Sequence, residues 1–239
     1  FTLTDSNNNA ITLDATFTIE DTTDPTMDVA ASNGTLECDG TTDAFTAWLA
    51  NNGGAGASDS CSGITWSNDS TGLSDNCGAT GSETVTFTAT DACWNFSSTT
   101  ATFTIVDTTD PTIDLAASDT TVECDGTSDP SGAFAAWLAD YGGAEASDSC
   151  SGVTWSNDST GLSDTCGATG SETVTFTATD ACGNFTTTTA TFTTEDTTAP
   201  VIGCPGDVTA VTEDGDCGAI VNFQPAVAID NCGSAFTYQ

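Results

Sequence analysis

A short acidic motif, Asp-Thr-Thr-Asp/Ala-Pro, recurs along this chain of 239 residues at long and nearly regular intervals. Its three copies begin at Asp21, Asp107 and Asp196. The period is about 90 residues, which is the size of a β-sandwich domain, whereas solenoid repeats are roughly 20–45 residues long. We therefore predict tandem sandwich repeats joined by short acidic linkers.

The sequence between the motifs predicts mostly β-structure. In residues 84–90, Val85, Phe87 and Ala89 alternate with threonines, the period-2 pattern of a strand with one buried face. A helical spacing occurs once per repeat, where Phe45 is followed by Trp48-Leu49 and then by Asn-Gly-Gly. The predicted fold is all-β, with tandem immunoglobulin-like sandwiches in an elongated filament and a short helical insertion in each of the first two units. Trp66 is the expected core tryptophan.

The repeats set the predicted domain boundaries. Residues 1–21 align without gaps to residues 176–196, so we interpret them as the closing hairpin of a preceding repeat. The predicted domains are then repeat one (22–107), repeat two (108–196) and a partial third repeat (197–239). Residues 67–92 and 156–181 differ at one position alone, which indicates duplication.

The charge excludes several classes of partner. The chain has 35 acidic residues and no Lys, Arg or His, which gives a formal net charge of −35. Nucleic acid is excluded because no basic group can displace counterions from phosphates, and an anionic membrane surface is excluded for the same reason. Direct membrane insertion is not expected either, because no apolar run approaches the roughly 20 residues of a membrane span.

Catalysis is not expected. Ser-His-Asp and Cys-His arrangements need a base that this composition lacks. Paired carboxylates can hydrolyse glycosides, but tandem near-copies of one active site are unusual. We predict that the chain is not an enzyme.

Eleven cysteines indicate an oxidising, extracellular setting. We predict two disulfides per repeat, whose connectivity the sequence leaves open. A weak preference for Cys61 with Cys93 would leave Cys38 with Cys77, and the third repeat's missing partner is expected beyond Gln239. The predicted disulfide residues are Cys38, Cys61, Cys77, Cys93, Cys124, Cys150, Cys166, Cys182, Cys204, Cys217 and Cys232.

Aspartates are predicted to converge at the linkers, because the linker and two loops lie at the same end of such a sandwich. Calcium takes six to eight oxygen ligands in irregular geometry, which suits carboxylates from separate loops. The alternative is that these aspartates form solvated Asx-turns. The candidate Ca²⁺ ligands are Asp21, Asp24, Asp59, Asp91, Asp107, Asp110, Asp148, Asp180, Asp196 and Asp230.

The third repeat resembles the start of a hyalin repeat (HYR domain). The matching residues are Asp196 to Pro205, Asp216-Cys217, Ala219 to Phe223 and Asp230 to Gly233. Repeats one and two, with Glu-Cys-Asp-Gly at 37–40 and 123–126, resemble repeats of giant bacterial cell-surface adhesins. These include the SprB-like gliding-motility adhesins of the type IX secretion system. The resemblance implies an immunoglobulin-like fold at the cell surface and a structural or adhesive role.

The predicted function is therefore a segment of a long secreted filament, stiffened by calcium and intradomain disulfides, in surface adhesion or gliding motility. Its expected partners are neighbouring repeats of the same chain, with surface glycans or other cells as further candidates, and bundling of filaments would need divalent cations. Two alternatives are a carbohydrate-binding array, which an aromatic platform such as Trp94 would favour, and a spacer of an extracellular enzyme.

Overall fold

The computed structural model describes residues 1–39, 41–74, 76–163, 168–212, 214–215 and 217–233. The chain divides into two compact units, Phe1–Asp107 and Thr108–Gln239. The first unit opens with an antiparallel hairpin of β1 (Thr2–Thr4) and β2 (Ala10–Thr12), in which Leu3 pairs with Ile11.

Repeat one completes the first unit. Its elements are β3 (Thr26–Val29), β4 (Gly34–Glu37), α1 (Asp43–Ala50), β5 (Gly56–Ser58), β6 (Thr65–Asn68), β7 (Gly81–Thr90) and β8 (Phe96–Val106), with a 3₁₀ turn at Asn52–Gly54. Four strands form a sheet in the order β4-β8-β7-β6, in which β4 runs parallel to β8 and the other pairs are antiparallel. Strands β3 and β5 form a second, two-stranded antiparallel sheet.

The long β7–β8 hairpin supplies the buried face of the four-stranded sheet. Val85, Phe87 and Ala89 are 0% exposed, and the alternating threonines between them are not buried. Ala101, Phe103 and Ile105 are buried on β8 in the same alternation. The predicted inward and outward faces of this hairpin are confirmed.

Helix α1 closes the core of repeat one. Trp48 meets the ring of Phe87 edge-on, with the ring centroids 5.2 Å apart, and its indole N–H donates to the carbonyl of Ser32. The chain then turns through Gly53 at φ +64°, where a Cβ atom would lie 2.9 Å from the Phe87 ring. Glycine satisfies both demands, because it adopts positive φ without strain and leaves room for the ring.

Repeat two reproduces this architecture. Its elements are β9 (Thr112–Leu115), β10 (Thr120–Glu123), a 3₁₀ turn (Pro130–Gly132), α2 (Ala133–Ala139), a second 3₁₀ turn (Tyr141–Gly143), β11 (Glu145–Ser147), β12 (Thr154–Asn157), β13 (Gly170–Thr179) and β14 (Phe185–Glu195). The sheets are β10-β14-β13-β12 and β9-β11. The core consists of Phe134, Trp137, Val174, Phe176, Ala190 and Phe192.

Two tryptophans contribute to the core of repeat two, and the helix supplies the more buried one, which the sequence analysis had not placed there. Trp137 on α2 is buried, whereas Trp155 on β12, the counterpart of Trp66, is half-buried and stacks on Tyr141. The helical insertion covers the inner face of the sheet and so takes the place that the strand tryptophan was expected to fill.

In the third repeat, β15 (Val201–Gly203) pairs with β16 (Val227–Ile229) in an antiparallel arrangement. The prediction of all-β, immunoglobulin-like sandwich repeats with a short helix in each of the first two is confirmed. Within the described part of the chain, no helix is both long and apolar enough to cross a membrane.

Candidate junction and cation sites

Carboxylates in this chain are held by backbone amides and hydroxyl groups, because there are no basic side chains to pair with them. Glu83 accepts hydrogen bonds from the Ser70 hydroxyl at 2.6 Å and the Thr71 amide at 2.6 Å. Desolvation opposes ionisation of Glu83, but these bonds outweigh it and hold the pKa of its carboxyl below the usual range. Glu172 holds the matching loop of repeat two in the same way.

Each hairpin turn is stabilised by hydrogen bonds from its backbone amides, and from an Asn side chain, to the Asp four residues before that Asn. In repeat two, Asp180 is buried and accepts from the amides of Cys182 and Asn184, and its second oxygen accepts from the Asn184 side chain at 2.7 Å. Asp91 with Asn95 in repeat one, and Asp5 with Asn9 in the first hairpin, make the same contacts. Asp91 and Asp180, predicted as calcium ligands, make the hydrogen bonds of an Asx-turn, but both are buried rather than solvated, and their binding of calcium stays a prediction.

Three segments meet at one end of repeat one, as the linker interpretation requires. The Asn95 side chain donates to the carbonyl oxygen of Asp21 in the linker at 3.1 Å. The amide of Ala92, in the β7–β8 turn, donates to the hydroxyl of Ser62 at 3.2 Å. The linker, the loop after β5 and the hairpin turn are thereby fixed to one another.

Asp21 and Asp59 form the candidate cation site at this end. A carboxylate oxygen of Asp21, a carboxylate oxygen of Asp59 and the Cys61 sulfur all lie within 4.8 Å of one another. Asp21 Oδ1 accepts from the Thr23 amide, and its Oδ2 is buried with no hydrogen-bond partner among the described residues. Asp24, which was also predicted to be a ligand, is exposed and does not belong to this group.

The remaining predicted ligands occupy turns and linkers. Asp107 directly follows β8. In the second unit, Asp110 accepts from the Phe185 amide, Asp148 from the Cys150 amide, Asp196 from the Thr198 amide and Asp230 from the Cys232 amide.

The linker after repeat two is held by a carboxylate that the sequence analysis did not single out. Glu123, the last residue of β10, accepts from the hydroxyls of Thr197 at 2.7 Å and Thr198 at 2.8 Å, and from both of their amides. The Asn231 side chain donates to Glu123 and, at 2.8 Å, to the carbonyl oxygen of Cys124. We call Glu123, Cys124, Thr197, Thr198, Asn231 and Cys232 the closed junction.

A disulfide between Cys124 and Cys232 crosses the closed junction and joins repeat two to the third repeat, across 108 residues of sequence. Two expectations are corrected. The disulfide of Cys124 joins two repeats rather than lying within one, and Cys61 and Cys93 are exposed free thiols rather than a pair. The physical reason is that the strand end at Cys124 lies against the next repeat, so its nearest cysteine belongs to that repeat.

The other cysteines divide between bonded and free. Cys38, Cys77, Cys150 and Cys182 are disulfide-bonded, and Cys204 and Cys217 are free thiols in the third repeat. Cys166 lies outside the described residues.

The closed junction is expected to weaken in acid. The hydroxyls of Thr197 and Thr198, and then the Asn231 side chain, lower the pKa of Glu123 to about 2. A carboxyl whose pKa is lower in the folded state stabilises the fold above its unfolded pKa, and that contribution is lost as pH falls through the folded value. We therefore expect the linker to be cleaved faster as the pH falls from about 4.5 to about 2. Digestion with a protease that is active in acid measures this rate.

Glu123→Gln is the matched variant for this pH dependence. It should be cleaved faster at neutral pH and should lose the acceleration between pH 4.5 and pH 2. Glu145→Gln, at an exposed residue of β11, is the control and should behave as the unmodified chain does. Equal pH profiles for Glu123→Gln and the unmodified chain would contradict the role given to Glu123.

A signal for the closed junction was present in the sequence. Glu-Cys-Asp-Gly occurs once in each full repeat, and Asp-Thr-Thr occurs at each linker. Their contact was missed because Glu123 lies 74 residues before Thr197 and 75 residues before Thr198 in the sequence.

No protein-family model and no curated protein matches the chain. Among solved structures, it is similar to EC1–4 of Drosophila N-cadherin, at 12% identity, 73% coverage of this chain, 50% of that chain and a TM-score of 0.30. The I-band fragment I67–I69 from titin matches at 12% identity, with 74% and 67% coverage and a TM-score of 0.26. The human desmocollin-1 ectodomain matches at 11% identity, with 75% and 42% coverage and a TM-score of 0.24. The chain spans about half the length of the cadherin ectodomains it matches.

Proposed function

We propose that this chain is a structural and adhesive segment of a long secreted cell-surface filament. Its immunoglobulin-like repeats resemble hyalin repeats and the repeats of gliding-motility adhesins, as the motifs at 37–40, 123–126 and 196–205 indicate. The observation that carries the proposal is the closed junction, in which repeat two holds the following repeat by hydrogen bonds and a disulfide.

The closed junction has the properties of a link that transmits force between repeats. Hydrogen bonds to an ionised acceptor are stronger than neutral ones, and Glu123 accepts from both the amide and the hydroxyl of two consecutive threonines. The disulfide keeps the two repeats covalently connected even when a pulling force breaks the hydrogen bonds between them. Such links suit a filament that transmits force between a cell and a surface.

Bonded cysteines support an extracellular location. Six cysteines among the described residues form disulfides, which persist in oxidising compartments and are rare in the cytosol. The absence of basic residues gives every repeat a negative surface, so lateral association of filaments would require divalent cations.

Calcium at the linkers is the second part of the proposal. The buried Asp21 Oδ2, which lacks a hydrogen-bond partner among the described residues, and the neighbouring Asp59 carboxylate fit a divalent cation, since two close carboxylates otherwise repel. Asp21 and Asp59 would hold Ca²⁺, with backbone oxygens and water completing a coordination of six to eight. The bound ion would supply the positive charge that the sequence lacks.

Thermal unfolding in calcium and in chelator tests this site. If 1 mM Ca²⁺ exceeds the dissociation constant about tenfold, binding adds roughly 1.4 kcal/mol, so chelator should lower the melting temperature by about 5–10 °C. Asp21→Asn with Asp59→Asn should abolish the difference. The control, Asp14→Asn with Asp24→Asn, removes the same charge at exposed positions and should retain it. Identical melting in calcium and chelator for the unmodified chain would overturn the calcium part of the proposal.

Glycan binding is a second candidate because of one exposed aromatic residue. Trp94 is 84% exposed at the tip of the β7–β8 hairpin, where φ is +72°. The counterpart in repeat two is Gly183, so a platform of this kind would be specific to repeat one rather than shared along the filament.

A further inference from the structure

The cysteine after β5 occupies the same place in repeat one as Cys232 does in the third repeat. The residue after the linker proline pairs with the last residue of the partner strand in both cases, as Thr26 with Ser58 and Val201 with Ile229. An Asp-x-Cys turn follows each partner strand. The amide of Cys61 donates to Asp59 at 2.8 Å, and the amide of Cys232 donates to Asp230 at 2.8 Å.

The two places differ in whether the thiol is bonded. Cys232 is bonded to Cys124 of the preceding repeat, whereas Cys61 is an exposed free thiol. Cys150, after β11, holds the equivalent position in repeat two and is disulfide-bonded as well. Of the three described Asp-x-Cys turns that follow a partner strand, the turn of repeat one is the one whose thiol is free.

Repeat one also has counterparts of the two threonines that bind Glu123 in the closed junction. Thr197 and Thr198, which bind Glu123, correspond in the linker motif to Thr22 and Thr23. Both Thr22 and Thr23 are exposed. We call Thr22, Thr23 and Cys61 the open face.

We propose that the open face is a docking site for the Glu-Cys strand end of another repeat of this type. The incoming glutamate accepts from Thr22 and Thr23 as Glu123 does from Thr197 and Thr198, and the incoming cysteine forms a disulfide with Cys61. The proposal rests on the filament role given above and gives it a mechanism, in which a strand end bearing Glu-Cys is the partner that each repeat accepts.

The bond forms by thiol–disulfide exchange with glutathione as the oxidant. The incoming Cys, held as a mixed disulfide with glutathione, is attacked at its sulfur by the Cys61 thiolate. The new protein–protein S–S bond forms, the bond to glutathione breaks, and glutathione leaves as a thiolate that takes up the proton released by Cys61. Docking of the glutamate raises the local concentration of the two sulfurs.

The test uses the full chain with Cys232→Ser, which releases the Cys124 thiol beside Glu123. Thr197→Val is combined with it, to remove a hydroxyl that holds Glu123 in the closed junction. In a glutathione buffer with excess chelator, this variant should link head to tail into covalent dimers and longer chains. Because the chain contains no Lys or Arg, peptides are generated with an Asp-specific protease and mapped by mass spectrometry.

We expect the Cys124–Cys61 cross-link to exceed Cys124–Cys204 and Cys124–Cys217 at least tenfold, although all three acceptors are exposed free thiols. Adding Cys61→Ser should abolish the covalent chains, and adding Cys204→Ser should leave them. Thr22→Val with Thr23→Val should reduce the preference for Cys61. Even distribution over the exposed thiols, predominance of Cys124–Cys93, or a chain that stays monomeric would overturn the proposal. Because chelator is present, the outcome is independent of the calcium test.

Discussion

Phe176→Ala is expected to lower the free energy of unfolding of repeat two by about 3–5 kcal/mol. Phe176 is 0% exposed, its ring centroid lies 5.2 Å from that of Trp137, and it belongs to the buried cluster between the sheet and α2. Truncation removes the buried area of the ring and leaves a cavity beneath Trp137 of α2, which keeps only its contact with the Phe192 ring among the aromatic residues of the sheet. Domains of this size have total stabilities of about 5–15 kcal/mol, so the loss is a large fraction.

Urea denaturation followed by tryptophan fluorescence measures this loss, because Trp137 lies in contact with the deleted ring. Phe185→Ala removes the same atoms from a side chain that is 58% exposed, and it should change the free energy of unfolding by less than about 0.5 kcal/mol. Phe87→Ala makes the corresponding change in repeat one, where Phe87 is also 0% exposed. Similar midpoints for Phe176→Ala and Phe185→Ala would mean that the helix–sheet contact does not stabilise the repeat.

The core of each repeat could be predicted from the sequence because it depends on local periodicity. Alternation fixes which side of β7 is buried, and the spacing of Phe45 and Trp48 fixes the face that α1 turns towards the sheet. Trp66 is half-buried, because the burial of a strand tryptophan depends on what covers the sheet. An inserted helix takes the central position with its own tryptophan, and no pattern within β6 itself reports that helix.

The closed junction was missed for a different reason. Glu123 and Thr197 are far apart in sequence and each resembles an ordinary surface residue, so neither residue alone indicates the other. The cysteine pairing was also inferred from positions within one repeat, which is why Cys61 was assigned to Cys93. The bond from Cys124 to Cys232 depends instead on how one repeat ends against the next.

Cys124→Ser with Cys232→Ser is expected to lower the free energy of unfolding of the third repeat by about 4 kcal/mol. The two cysteines are separated by 108 residues, but repeat two stays folded when the third repeat unfolds alone, so the crosslink restricts roughly the 36 residues from 197 to 232. In the described part of the third repeat, the secondary structure consists of the short β15–β16 pair, so little regular structure replaces the lost constraint. Glu123 and Asn231 would still hold the linker, but by hydrogen bonds alone.

Pulse proteolysis across a urea series, with the fragments identified by mass, measures the unfolding of the third repeat separately from that of repeat two. Cys204→Ser with Cys217→Ser is the matched control, because it removes two exposed free thiols from the same repeat and should leave the midpoint unchanged. If both double variants unfold at the same urea concentration, the disulfide does not hold the third repeat. A lower midpoint for Cys124→Ser with Cys232→Ser alone means that each repeat depends on its neighbour for stability. In that case the disulfide to repeat two keeps the third repeat folded, and the third repeat unfolds first once that bond is lost.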